Sequence, residues 1–311
     1  HRAAPAMPSP IGRWARVEKL QAFDCHVHVR TGQRASSYEA GFQDAQRLFS
    51  SSVDADPVEY YRSRRMMAVV FDIDEETATG VKASNDDVAA IVRRSEGLFV
   101  GLGSVDPWKG VAAVQEAVRC HQLGLKGIKL MPITQRFFLN ERRFYPLWDT
   151  CQSLGLILLV HTGTTAIGAG SPGGRGLQLK YGQPVPALDD VAADFPQLTI
   201  IAAHPGWPWH LELLAVARHK ANVYIDLSGW SPKYLPEEVV RYLNSVMPDK
   251  FLFGSDYPLL TPERWLRDFA ALPIKEAVRS KVLYENACRL FGVDPSRFAM
   301  QLDGSAGPAA T

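Results

Sequence analysis

Cysteine is scarce in this chain: there are four in 311 residues, Cys25, Cys120, Cys151 and Cys288, widely spread and without a Cys-x-x-Cys pair. Such spacing argues against a disulfide framework and against cysteine chemistry, and fits packed thiols in a reducing compartment. Excess charge of one sign is lacking as well. A formal net charge of +1 and the absence of any long basic run argue against nucleic acid or an anionic membrane surface as the main partner, which leaves small molecules. No apolar run approaches the roughly 20 residues of a membrane span, and the opening HRAAPAMPSP has no apolar core of a secretory signal. A soluble, cytoplasmic protein is the expectation. Also missing is a Gly-x-Gly-x-x-Gly between strand and helix, the phosphate-binding fingerprint of the doubly wound open sheet.

At 46% hydrophobic and 22% charged residues, the chain can bury a large core. Strand-like runs lie at about 22–28, 66–71, 98–103, 127–131, 156–161, 199–204, 223–227 and 251–256. Between them, 110–124, 141–155 and 208–220 carry apolar residues at three- and four-residue spacing, and the first two end on glycine as helices do. Eight βα units predict an α/β fold, a single (β/α)₈ TIM barrel whose active site lies at the carboxyl ends of the strands. Residues 1–20 read as an N-terminal extension, 21–295 as the barrel and 296–311 as a loose tail without apolar periodicity. Two connections are long: an insertion after strand 1 (29–65), with a helix expected in DPVEYYRSRR (56–65), and a glycine-rich loop after strand 5 (162–184). Each is a substrate wall or lid, or else a tolerated surface insertion.

Four apolar runs stop at a metal-binding or proton-transferring side chain: FDCHVHV (23–29), LILLVHTG (156–163), TIIAAHPG (199–206) and FLFGSDYP (251–258). Polar groups at such strand ends cost stability unless something binds them. His26 and His28 are two apart on a strand and so share a face, where both imidazoles reach one ion; the alternative is a pair of hydrogen-bonded core histidines. His161 and Asp256 supply further N and O ligands from across the barrel mouth. Alternation also turns Asp24 toward that face, without assigning it a role.

These segments, with AAHPGWPW around His204, GSDYP around Asp256 and the closing YENACRLFG (284–292), resemble the amidohydrolase superfamily, in the branch related to aminocarboxymuconate semialdehyde decarboxylase. The resemblance implies that His26, His28, His161 and Asp256 hold one divalent metal, zinc or alternatively manganese, with His204 beside the metal-bound water. It also implies a homo-oligomer. A metal with an open position brings the pKa of its water near neutrality, and Asp256 would then serve as base and later as acid, with His204 orienting the water or the developing oxyanion. Superfamily members with two metals bridge them through a carbamylated lysine, the place of Lys129 in GIKLMP; the branch favours one metal, leaving Lys129 to contact an anionic substrate group or cap the strand end.

Weaker candidates for substrate contacts are Arg30, Trp207 and Tyr257, while His121, His210 and His219 fall in helical stretches and read as surface or interhelical residues. The main expectation is a metal-dependent hydrolase of a carbonyl substrate, such as a ketone C–C bond, lactone, ester, amide or aryl β-ketoacyl thioester. The alternative is a non-oxidative decarboxylase of an aromatic or muconate-like carboxylic acid, and a second alternative is a non-catalytic metal-containing binding subunit.

Overall fold

The computed structural model describes residues 19–32, 43, 45 and 56–298. Most of the expected N-terminal extension, most of the insertion after strand 1 and the end of the expected tail therefore lie outside the described residues.

The strands are β1 (Ala22–His28), β2 (Met66–Phe71), β3 (Phe99–Gly101), β4 (Gly103–Ser104), β5 (Gly127–Leu130), β6 (Ile157–His161), β7 (Ile200–Ala203), β8 (Val223–Asp226) and β9 (Phe251–Leu252). All pair parallel, in the orders β1-β2-β3 and β4-β5-β6-β7-β8-β9. Each run expected from the sequence forms a strand, except that the third is divided at Leu102. Backbone bonds carry the arrangement across that break: Leu102 N–H donates to Val70 O at 2.9 Å and Lys126 N–H to Gly101 O at 2.8 Å. On the other side of the ring, Cys25 N–H donates to Phe253 O and His28 N–H to Tyr257 O, both at 2.8 Å, which lays the chain after β9 along β1. The fold is a TIM barrel with parallel strands inside and helices outside.

Burial explains why the strands read as unbroken apolar runs. Every residue of β2, β5, β6 and β7 is buried, with helices covering one side of the sheet and barrel-interior side chains the other. The longer helices are α1 (Pro57–Ser63), α2 (Asn85–Arg94), α3 (Val111–Gln122), α4 (Tyr145–Ser153), α5 (Ala187–Asp194), α6 (His210–His219), α7 (Pro262–Ala270) and α8 (Asn286–Phe291). α1 is the helix expected within the insertion; Asp56 caps it by accepting from Val58 N–H. At Gly103 any Cβ would collide with Cys120 Sγ, so the glycine lets α3 close directly on β4. The packed chain continues to Phe298, which is fully buried, stacks on Tyr284 and Phe23, and pairs with Leu20. No helix among the described residues is long and apolar enough to cross a membrane.

Candidate active site

The barrel's carboxyl-terminal mouth opens on a cavity of about 530 Å³ lined by His26, His28, Lys129, His161, His204 and Asp256. His26 and His28 leave β1 side by side, their Nε2 atoms 3.3 Å apart. Asp256, just beyond β9, places Oδ1 3.0 Å from His28 Nε2 and 3.4 Å from His26 Nε2. That oxygen is buried and has no aligned hydrogen-bond donor. Phe71, at the end of β2, meets both histidine rings edge-on, at 5.0 and 4.9 Å between centroids.

Partners fix the histidine tautomers. His26 Nδ1 lies 2.9 Å from Asp226 Oδ2, a carboxylate that only accepts, so Nδ1 carries the proton and Nε2 presents a bare lone pair. His161 Nε2 faces the Thr164 carbonyl at 3.0 Å and His204 Nδ1 faces the Ser228 carbonyl at 3.0 Å, so both of these nitrogens donate. The remaining nitrogens, His161 Nδ1 and His204 Nε2, are then both acceptors and stand 3.0 Å apart. Burial, followed by the nearby Lys129 charge, holds His26 well below the usual histidine range; burial, followed by His204, does the same to His161. Burial pushes the Asp256 carboxyl up, but contact with His28 and the other imidazoles around it outweighs burial and leaves it well below the usual range. Converging lone pairs beside a buried, ionised carboxylate repel one another unless a cation lies between them, so the donor set fits a divalent metal.

His26, His28 and Asp256 offer ligand atoms that all lie within 4.8 Å of one another. His161 joins the cluster through His204 rather than as part of that trio. His26, His204 and Asp226 form a second group of this kind, yet its internal bonds make it a scaffold: Asp226 Oδ1 also accepts from His204 N–H at 3.2 Å and from Ser228 N–H at 2.9 Å. His204 and Asp256 both adopt left-handed backbone, with φ of 73° and 72°. Such strain in non-glycine residues persists only where the surroundings impose it. Gly229 is part of those surroundings, since a Cβ there would stand 2.7 Å from His204 Nδ1 and 3.2 Å from Asp256 Oδ2.

Lys129 is buried, with Nζ 3.4 Å from His26 Nε2 and 5.0 Å from the centre of the Phe71 ring. Burial lowers its pKa to about 8, against the pull of Asp226 and Asp256. The other three residues expected to touch substrate do not line the cavity. Arg30 is exposed, beyond the buried Val29. Trp207 is 44% exposed and leans on Trp230, which does line the cavity. Tyr257 turns to the opposite side of the chain from Asp256, with its ring centroid 4.6 Å from that of Tyr60 on α1.

Asp24 also departs from simple alternation. A β-bulge between Asp24 and Val27 interrupts the pairing of β1 with β2, and the carboxylate accepts from Tyr61 OH at 2.7 Å and from Ser255 N–H at 2.8 Å.

A family model described as amidohydrolase matches residues 23–293. The chain belongs to the amidohydrolase family. Among relatives of this amidohydrolase, 2-amino-3-carboxymuconate-6-semialdehyde decarboxylase of Dictyostelium discoideum is 24% identical over 243 residues, covering 69% of this chain and 67% of the relative. A TIM-barrel protein of Bordetella bronchiseptica superposes with a TM-score of 0.72 at 24% identity, over 88% of this chain and 99% of the other. A dihydroxybenzoic acid decarboxylase of Polaromonas, solved with bound manganese and the inhibitor 2-nitroresorcinol, gives a TM-score of 0.63 at 19% identity, over 88% and 97%.

Sequence reasoning about this amidohydrolase missed Asp226, Ser228, Gly229 and Trp230, all at or just after the end of β8. The signal was present, because VYID is an apolar run closing on an acid, as in the four motifs singled out. The glycine-rich loop after β6 proves to be a cavity wall through Thr164, Thr165, Ala166, Ile167 and Ala169.

Proposed function

We propose that this protein is a metal-dependent, non-oxidative decarboxylase of an aromatic or muconate-like carboxylic acid. The observation that carries the reading is a relative matched over two thirds of both chains and named a decarboxylase, together with a cavity that joins the His26, His28 and Asp256 cluster to an apolar wall. Carbonyl hydrolysis, the main expectation from the sequence, gives way to it.

His26, His28 and Asp256, with His161 as a further donor, would hold a divalent metal, which would supply Lewis-acid stabilisation of negative charge on the substrate. His26 is held in the metal-binding tautomer by Asp226, and Phe71 fixes both rings of the His26/His28 pair. Asp256 is anionic at neutral pH, so it can take the proton of a hydroxyl adjacent to the carboxylate and deliver it to the ring carbon. The bond from that carbon to the carboxylate then breaks, its electron pair restores the aromatic phenolate, and carbon dioxide leaves without any oxidant. His204 stands beside His161 and orders that side of the cavity. Lys129, next to His26, contributes positive charge at the deep end where the carboxylate sits.

The test is release of labelled carbon dioxide from carboxyl-labelled 2,6-dihydroxybenzoate and 5-carboxyvanillate by protein reconstituted with manganese or zinc, run without oxygen. Turnover that disappears in Asp256→Asn supports the reading. Cleavage of aryl esters or β-ketoacyl thioesters, with no carbon dioxide from any aromatic acid, overturns it in favour of hydrolysis.

A further inference from the structure

The cavity holds a second cationic side chain that the reaction above does not use. Arg264, on α7, lines it together with the metal-binding cluster and is half-buried. Among the described residues, no hydrogen bond, ion pair or ring contact engages its guanidinium. The acids near it in sequence are taken: Glu263 accepts from Tyr60 OH at 2.8 Å and pairs with Arg64, while Asp268 accepts from Ser231 Oγ at 2.6 Å and pairs with Arg267 at 3.4 Å. A partly desolvated guanidinium with no carboxylate costs free energy that an anionic ligand would recover. Lys129 lines the same cavity and is fully buried, and much of the remaining lining is apolar, from Met131, Ala166, Ile167, Trp230, Leu259 and Leu260.

We propose that Arg264 is a specificity-determining residue that grips a second anionic group of the substrate, so that this enzyme prefers aromatic acids bearing two carboxylates. One carboxylate lies at the His26, His28 and Asp256 end, the aromatic body fills the apolar middle, and the second carboxylate meets the planar, two-pronged face of the guanidinium. The inference rests on the decarboxylase reading for which carboxylate is lost, but the recognition itself is a matter of binding.

The test uses a matched pair of probes, salicylate and 5-carboxysalicylate, titrated calorimetrically into the manganese-loaded protein. A charge-assisted, two-pronged contact predicts that 5-carboxysalicylate binds about tenfold or more tighter than salicylate. Arg264→Gln collapses that ratio toward one, and Arg264→Lys restores part of it, with unchanged thermal melting showing that both variants fold. Equal binding of the two probes by the parent protein, or a preference that survives in Arg264→Gln, overturns the proposal. Carbon dioxide release measured on the same samples separates the two ideas. A charge preference lost in Arg264→Gln without any decarboxylation keeps the role of Arg264 and sinks the reaction, whereas decarboxylation without a charge preference does the reverse.

Discussion

His26 and Asp226 are both fully buried and meet through Nδ1 and Oδ2 at 2.9 Å, although 200 residues separate them in the chain. The carboxylate fixes the proton on Nδ1 and aims Nε2 at the cavity. Replacing it with an amide keeps the shape but allows the opposite tautomer. Asp226→Asn is therefore expected to lower metal affinity about 10- to 100-fold, read by competition with a chelator of known affinity. Unchanged affinity would show that ring packing alone orients His26.

Metal content separates one ion from two. Elemental analysis is expected to find about one divalent metal per chain in the parent and in Lys129→Ala, and little in His26→Ala or Asp256→Ala, as a single His–His–Asp ion requires. Two ions, one of them lost in Lys129→Ala, would establish a lysine-bridged pair instead.

Phe71 supports both histidine rings and is itself fully buried. Phe71→Ala is expected to cost about 3–5 kcal/mol of stability from the cavity it leaves. Phe71→Leu, which keeps most of the volume, should fold and bind metal more weakly. Urea unfolding and metal competition measured side by side distinguish the packing role from the positioning role.

Gly229→Ala adds a methyl group 2.7 Å from His204 Nδ1 at a backbone position of φ 72°. Displacing His204 and Asp256 from their strained conformations is expected to reduce turnover on the order of 10- to 100-fold while the barrel stays folded. Full activity in this variant would show that the close approach at Gly229 has no bearing on the reaction.

The pair joining α1 to α7 makes stability depend on acid. Burial pushes the Glu263 carboxyl up, but its bonds from Arg64 and Tyr60 outweigh that and leave the folded value lowered. A lowered carboxylate stabilises the fold above the unfolded Glu range, and that contribution is lost as pH falls through the folded value. Glu263→Gln should be less stable than the parent at pH 7 by roughly 1 kcal/mol or less, since the pair is partly solvent-screened. The gap should close as the pH drops below about 4, the unfolded carboxylate range. Urea midpoints across that range give the answer, and a gap that persists in acid would assign the effect to packing.

Much of the site was legible because its residues end strands. His26, His28, His161, His204 and Asp256 each close an apolar run, and parallel strands in a barrel all end at one mouth. Side-chain direction at the mouth was less legible. Tyr257 and Asp256 are neighbours that face opposite ways, and Arg30 and Trp207 lie just outside the cavity, although each sits within a few residues of a motif histidine.

What the sequence determined by itself was local: which segments are buried strands, and which chemical groups terminate them. Periodicity and side-chain chemistry are properties of a few consecutive residues, so they survive reading in one dimension. Tertiary structure alone decided which nitrogen of His26 is bare, why Gly229 must be small, that Asp24 accepts from Tyr61, and that Arg264 shares a cavity with Lys129. Each of those depends on the register between strands or on a helix docking across the barrel mouth. Contacts between residues that are remote in the chain are set by the closure of the whole barrel, and no single segment encodes them.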